Sequence, residues 1–261
     1  MLLENKNAVI YGAGGPIGSA VARAFAREGA KVFLANRTLA SIDDVAAKIS
    51  AAGGVAETAH VDALDEKSVD EHADAVATRA GGIDVSFNAI GHGDVHGPPL
   101  IEMSYEDFAR PVVTAIRAQF LTAKASARHM VKRRSGVILA ITATTARLAI
   151  PNVGGTAVAF ESIEALCRQL ASELGPFGVR MAWLRTTGIA EALRGDSFPD
   201  YGTGSGGMTR EELVAWLKSK TMLNRLTSLD EVGSVAAFMA SDHASAMTAS
   251  AANMSCGSLP D

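Results

Sequence analysis

The run Tyr11-Gly12-Ala13-Gly14-Gly15-Pro16-Ile17-Gly18 sets four glycines just ahead of apolar residues at helical spacing, Ala20, Val21, Ala24 and Phe25. Glycines there let the backbone turn tightly and approach a phosphate, whose charge is met by the unpaired N–H groups and the dipole of the helix that follows. Pro16 has no N–H to donate, although proline suits a first helical position. A second group, His92-x-Asp94-x-His96, joins two imidazoles to a carboxylate on a glycine-bearing stretch. Such a histidine can donate a proton near neutral pH. The plainest reading is a solvated loop, an acid comes second and a metal cluster third, so no metal ligand is assigned. The third group is of hydroxyls. Thr142, Thr144 and Thr145 follow an apolar run, Thr156 opens a helical stretch, and Tyr201 lies in a turn-rich segment. A hydroxyl can orient a carbonyl or relay a proton through water, but threonine has no useful pKa of its own. His92, Thr142, Thr156 and Tyr201 are the catalytic candidates, each with a purely structural role as the alternative.

These residues sit at the ends of repeating elements. Ala8 to Tyr11 predicts a strand and the residues after Pro16 a helix. The pattern recurs as strand Lys31 to Ala35, helix Leu39 to Ala52, strand Val55 to Val61 and helix Glu66 to Ala80. A strand over Ile83 to Phe87, a long helix over Tyr105 to Arg134 and a strand over Val137 to Ile141 follow. Asn152 to Leu174 reads as helix, Val179 to Leu184 as the sixth strand and Ser250 to Met254 as the last. Thr209-x-x-Glu212 and Ser228-x-x-Glu231 are capping-box patterns that fix two late helix starts. Alternation at this spacing implies right-handed βαβ crossovers and a parallel sheet covered by helices on both faces, an α/β fold of the doubly wound Rossmann type. One domain over residues 1–261 is expected. The turn-rich stretch from Gly188 to Met208, extended to about residue 221, has the length of a substrate lid.

Composition narrows the classes of function. The chain has 261 residues, 48% hydrophobic and 20% charged, enough to bury a large core without staples. Cys167 and Cys256 form no CxxC pair and read as reduced thiols, which points to a cytoplasmic setting. No window approaches the ~18 apolar residues that span a bilayer, and no export signal is evident, so no membrane role is expected. Asp plus Glu number 28 against 24 Lys plus Arg, and the one basic run, Lys132-Arg133-Arg134, closes a helix. That balance offers no footprint for nucleic acid, which leaves a small molecule as the expected ligand.

In order along the chain, the glycine turn, Asp62 after the third strand, Asn88-Ala89-Ile90-Gly91 after the fourth, and Ser241-Asp242 with Thr248 resemble the short-chain dehydrogenase/reductase family. The resemblance implies a seven-stranded sheet in the order 3-2-1-4-5-6-7 and a bound nicotinamide dinucleotide. Its phosphates would lie on Gly12, Gly14, Gly15, Pro16, Ile17 and Gly18, and its adenosine ribose beside Asn36, Arg37 and Thr38. Asp62, Ala63, Asn88, Ala89, Ile90 and Gly91 would line the adenine side and inner ribose, with Ile141, Gly188 and Ile189 nearer the nicotinamide. In the family an acid closing the second strand selects NAD, and an arginine there selects NADP. Asn36-Arg37, with no acid, implies NADP(H), because a guanidinium grips a phosphate with two charge-assisted hydrogen bonds.

The family's reactive set is missing. Its members protonate the developing oxyanion with a tyrosine whose pKa a lysine four residues on depresses, helped by a serine and an asparagine. Here Thr156 falls at the tyrosine, Phe160 at the lysine, Ala143 at the serine and Ala115 at the asparagine. Tyr11, Tyr105 and Tyr201 are followed four residues later by Gly15, Ala109 and Ser205, so no YxxxK exists. Pro151-Asn152 through Ile163-Glu164-Ala165 resembles the enoyl reductase branch, yet in that register Val153 replaces the tyrosine. The resemblance thus implies a divergent NADP(H)-dependent oxidoreductase with an unusual proton donor. The alternatives are a catalytically silent binding or partner subunit, paired with an active homologue, and a non-redox lyase, isomerase or cyclase. The two long helices match those packed between subunits in the family, which implies a homotetramer or dimer.

Overall fold

The computed structural model describes residues 1–193, 197–198 and 207–260. Strands β1 (Asn7–Tyr11), β2 (Lys31–Asn36), β3 (Val55–His60), β4 (Val85–Asn88), β5 (Gly136–Ala143) and β6 (Val179–Thr186) alternate with helices. These are α1 (Pro16–Arg27), α2 (Leu39–Ala51), α3 (Glu66–Ala80), α4 (Tyr105–Arg133) and α5 (Thr156–Leu174). A two-stranded antiparallel ribbon, β7 (Ser197–Phe198) with β8 (Met208–Thr209), precedes α6 (Arg210–Ser219), α7 (Leu229–Ala240) and β9 (Ala251–Met254). The main sheet runs β3-β2-β1-β4-β5-β6-β9 with every pairing parallel. It is the expected order; β9 is the seventh strand of the sheet because the ribbon lies outside it. Strand order reverses between β1 and β4, which opens a crevice at the carboxyl ends of these strands.

Period-two alternation divides each strand between two cores. Ala8 and Ile10 of β1, with Val32 and Leu34 of β2, join Val21, Phe25, Ile42 and Val232 of α1, α2 and α7. Val9, Tyr11, Phe33 and Ala35 point the other way, toward Val69, Ala123, Met130 and Cys167 of α3, α4 and α5. Both capping boxes form: Thr209 caps α6 with Glu212 reaching back, and Ser228 and Glu231 do the same for α7. Helix α5 begins at Thr156, four residues after the expected start. Asn152 (φ 62°) and Gly154 (φ 56°) are left-handed, and that conformation does not continue into a right-handed helix. Among the described residues no helix is long and apolar enough to cross a membrane.

One buried group makes the fold sensitive to acid. His72 of α3 packs edge-on against Tyr11, ring centroids 5.8 Å apart, and its Nδ1 has no hydrogen-bond partner. Burial, reinforced by the Arg79 charge, pushes its pKa from 6.5 down to about 4. Unfolding restores the ordinary value, so below pH 6.5 the unfolded chain binds a proton that the folded one refuses. Stability therefore falls between pH 6.5 and about 4, by a total of about 3 kcal/mol at about 1.4 kcal/mol per unit. Urea unfolding of wild type and His72→Phe at pH 7 and pH 4.5 measures this. The variant should lose much less on acidification, and an equal loss in both proteins would contradict the assignment.

Candidate functional site

At the end of β1 the chain turns through Gly12 (φ 78°), where a Cβ would lie 2.6 Å from the Ala89 carbonyl oxygen. A Cβ on Gly18 would lie 2.3 Å from the Gly12 oxygen, and one on Gly14 2.5 Å from Asn36 Nδ2. The fold itself thus requires Gly12 and Gly18, which meet backbone, while Gly14 is tight only against the side chains of Ser41 and Asn36. Gly15 differs, for a Cβ there meets only the Gly12 oxygen at 3.4 Å, an ordinary contact, and Gly91 has open space around it. Both line a cleft of about 250 Å³ together with Asn36, Arg37, Asp62, Ala63, Ala89 and Ile90. Packing thus joins in one crevice residues read from the sequence at four separate places. Pro16 is the first residue of α1, and the first main-chain bond of the helix runs from Ser19 N–H to the Gly15 oxygen, 2.9 Å. The amides of Ile17 and Gly18 precede that bond and are available to an anion, with Pro16 contributing none.

Hydrogen bonds hold the walls of the cleft in place. Asn36 Nδ2 donates to Ser41 Oγ at 2.8 Å, which fixes the turn that carries Arg37 and Thr38. Both are exposed, and Arg37 makes no ion pair among the described residues. Asp62 Oδ1 accepts from the Leu64 amide at 3.0 Å, and its own amide donates to Ser68 Oγ at 3.1 Å. Asn88 is buried; its Nδ2 donates to Thr122 Oγ1 and its Oδ1 accepts from the Ile90 amide, each at 2.9 Å. The residues present therefore fit a dinucleotide at its adenosine and pyrophosphate end. Ile189 packs into the core and Ile141 against it, while Gly188 sits by Leu217.

A Gly15→Ala variant should fold as stably as wild type, since its Cβ makes only an ordinary contact with the Gly12 oxygen. It should weaken nicotinamide-dinucleotide binding about tenfold, through a methyl placed between the turn and the pyrophosphate. Thermal unfolding and calorimetric titration measure the two halves; unchanged affinity would move the phosphates elsewhere.

The reactive end is built otherwise. Ala115, at the family's asparagine position, is buried, and Phe160 at the lysine position stacks edge-on with His92, centroids 5.4 Å apart at 65°. The Thr142 hydroxyl is engaged below the site: it donates to Glu164 Oε1 at 2.9 Å. Glu164, fully buried in α5, is held by Arg185 of β6 through two bonds, Nε to Oε1 at 2.7 Å and Nη2 to Oε2 at 2.6 Å. The sequence reading passed over this pair, although a carboxylate on the apolar face that holds Phe160 and Cys167, opposite an arginine in an apolar strand, is a legible signal. Thr156 keeps its place at the carboxyl edge of the sheet. Its Oγ1 lies 3.1 Å from Asp94 Oδ1 and 3.0 Å from His96 Nε2. The 91–97 loop is pinned onto the start of α5 by a bond from the Gly97 amide to the Asn152 oxygen, 2.9 Å, and by close packing of Gly154 on the Val95 oxygen. Burial holds the pKa values of His92 and His96 below the ordinary histidine range, and the charge of Asp94 only partly offsets it. Among the described residues no three histidine, cysteine or acidic side chains converge to hold a metal ion. Tyr201 lies outside the described residues. Beside this region an apolar cleft of about 330 Å³ is walled by Leu148, Ile150, Pro151, Trp216 and Leu217, with Thr144, Thr187 and Lys220 as polar groups.

With fold and site in view, comparison with known proteins gives the class. The family model described as enoyl-(acyl carrier protein) reductase matches residues 12–258. The chain belongs to the short-chain dehydrogenase/reductase family, a family of oxidoreductases. It is 32% identical over 246 residues to the uncharacterized oxidoreductase YxbG of Bacillus subtilis (strain 168), covering 94% of this chain and 88% of that protein. It is 30% identical over 249 residues to secoisolariciresinol dehydrogenase of Forsythia intermedia, covering 93% and 84%. Among solved structures, NAD+-bound xylitol dehydrogenase shares the fold, with a TM-score of 0.87 at 22% identity over 98% of this chain and 100% of the other. A short-chain type dehydrogenase/reductase from Mycobacterium marinum superposes at a TM-score of 0.84 with 27% identity, covering 99% and 97%.

Proposed function

We propose that the protein is an NADP(H)-dependent oxidoreductase acting on a small organic molecule, with a proton donor other than the family's tyrosine. The observation that carries the cofactor choice is Arg37, exposed on the rim of the adenosine cleft and without an ion-pair partner among the described residues. A free guanidinium at that point attracts a 2'-phosphate, and no acid follows β2 there to take a ribose hydroxyl instead. When bound, the dinucleotide supplies or removes a hydride. The chain's own residues hold it: the Ile17 and Gly18 amides meet the pyrophosphate, Asp62 and Asn88 shape the adenosine side, and Ile141, Gly188 and Ile189 flank the nicotinamide. The apolar cleft next to Trp216 has the size for a mid-sized substrate.

The protein is further proposed to act in the cytoplasm as a homodimer or homotetramer. Val113, Phe120 and Val158 on α4 and α5 are 61%, 45% and 44% exposed, an apolar set suited to meeting a second copy. Light scattering at micromolar concentration checks the assembly, and a monomer would refute it. The cofactor reading is tested by calorimetric titration of the wild-type protein with NADPH, NADP+, NADH and NAD+. Micromolar binding of the phosphorylated pair is expected. Binding of none of the four would remove the redox reading and leave a silent subunit or a non-redox enzyme.

A further inference from the structure

The Asp94–Thr156–His96 cluster occupies the place where the family's phenol is missing, and its hydrogen-bond polarity can be worked out. A carboxylate only accepts, so the single Thr156 proton goes to Asp94 Oδ1, 3.1 Å away. Thr156 Oγ1 must then accept from His96, whose Nε2 lies 3.0 Å off and therefore carries the ring proton. A neutral imidazole suffices for that donation, and burial keeps His96 below the ordinary histidine range. One lone pair of Thr156 Oγ1 is left over. Thr156 itself is 5% exposed, whereas Asp94 is open to water. The cluster thus runs from a nearly buried hydroxyl to a solvent-facing carboxylate, with an imidazole fixing the hydroxyl between them.

We propose that Thr156 and Asp94 form the proton exit of the site, with His96 positioning the hydroxyl, and that the site oxidises an alcohol. This rests on the cofactor reading above. The substrate hydroxyl donates to the free lone pair of Thr156. As its O–H bond breaks, the proton joins Thr156 Oγ1, and the original Thr156 proton moves to Asp94 Oδ1. The substrate C–H electron pair leaves as hydride to the oxidised nicotinamide, and the C–O bond becomes C=O. Asp94, now a carboxylic acid, returns the proton to water. Charge and atoms balance: alcohol and oxidised cofactor yield carbonyl, reduced cofactor and one proton. The relay runs in either direction; oxidation is the one in which the solvent-facing carboxylate accepts the proton and passes it to water. Thr156 is the catalytic residue by contact with substrate, and the wall beside it is the His92–Phe160 stack, one helical turn along α5.

The test uses the full-length protein with NADP+ and four alcohols as probes, xylitol, gluconate, cyclohexanol and propan-2-ol, following reduced cofactor by absorbance. Thr156→Val, Thr156→Ser, Asp94→Asn and His96→Gln are compared with wild type, and all are expected to bind NADPH within about twofold of it. Thr156→Val and Asp94→Asn should lower kcat about 100-fold, the scale of a lost proton-transfer group, with KM nearly unchanged. Thr156→Ser should restore kcat to within about tenfold, since it returns the hydroxyl. Nitrogen-15 NMR should show the Nε2–H tautomer of His96 in wild type and a mixture of tautomers in Thr156→Val, whether or not turnover is measured. Retained kcat in Thr156→Val or Asp94→Asn overturns the proposal, as does an Nδ1–H tautomer in wild type. NADPH binding with none of the four alcohols oxidised also overturns it and leaves the cofactor reading standing. Absence of nucleotide binding overturns the cofactor reading itself, and the proton exit with it.

Discussion

Arg37→Ala is expected to weaken NADPH binding by about 10- to 100-fold while leaving NADH binding within about twofold. The 2'-phosphate is the one group that distinguishes the two nucleotides. Hydrogen bonds to a charged group contribute about 1.5–3 kcal/mol, and about 1.4 kcal/mol is a tenfold change in affinity. Arg37 stands on the rim of the cleft, where its guanidinium breaks no ion pair among the described residues in turning to a ligand. Its exposure also means that salt screens the interaction, so the effect should shrink at high ionic strength. Arg37 is away from both cores, and the variant should unfold at the same temperature as wild type. Calorimetric titration of the two nucleotides against both proteins decides. Equal affinity of wild type for NADPH and NADH, or an unchanged variant, would assign Arg37 to the solvated surface.

The largest stability effect is expected at Glu164. Its carboxylate is fully buried and accepts from Arg185 twice and from Thr142 once, with Arg147 Nε 3.6 Å away. Glu164→Ala leaves the 4% exposed Arg185 guanidinium facing a cavity where its carboxylate had been. Breaking a buried pair from one side costs about 3–5 kcal/mol, because the remaining charge has already lost its water. For a chain of this length each kcal/mol moves Tm by about 2–4 °C, so a fall on the order of 10 °C is expected. Removing both charges is a different experiment. Glu164→Leu with Arg185→Leu should recover most of the loss, since a dry apolar pair needs no compensation. Scanning calorimetry of the single and double variants checks this. A single variant within about 1 kcal/mol of wild type would show that the pair contributes little. The pair also ties α5 to β5 and β6 directly beneath the site, so the single variant should loosen the first turn of α5 that carries Thr156.

The elements and the cofactor end were legible because their signals are local. Apolar residues at period two and period 3.6 reveal strands and helices, Thr209-Glu212 and Ser228-Glu231 mark two helix starts, and the glycines of the first turn sit where backbones must approach closely. The start of α5 was misplaced because its cause lies outside the segment. Asn152 and Gly154 look compatible with a helix by pattern, but their left-handed conformation is set by the 91–97 loop packed over them.

By itself, the sequence determined the order of the elements and the parallel sheet, and it named Gly12, Gly15, Asn36, Arg37, Asp62, Ala63, Ala89, Ile90 and Gly91, which line one cleft together with Val61, Leu64 and Thr114. It also determined that no tyrosine–lysine pair exists to protonate an oxyanion. Only the tertiary structure decided what the remaining polar groups do. Thr142 turned out to serve the buried Glu164, 22 positions away, and Thr156 met Asp94 and His96 across 62 and 60 positions. Propensity and periodicity describe how a segment relates to its own neighbours along the chain. Which distant side chain supplies a hydrogen-bond partner depends on how a loop settles on a helix end, and that is fixed by the packing of the whole fold.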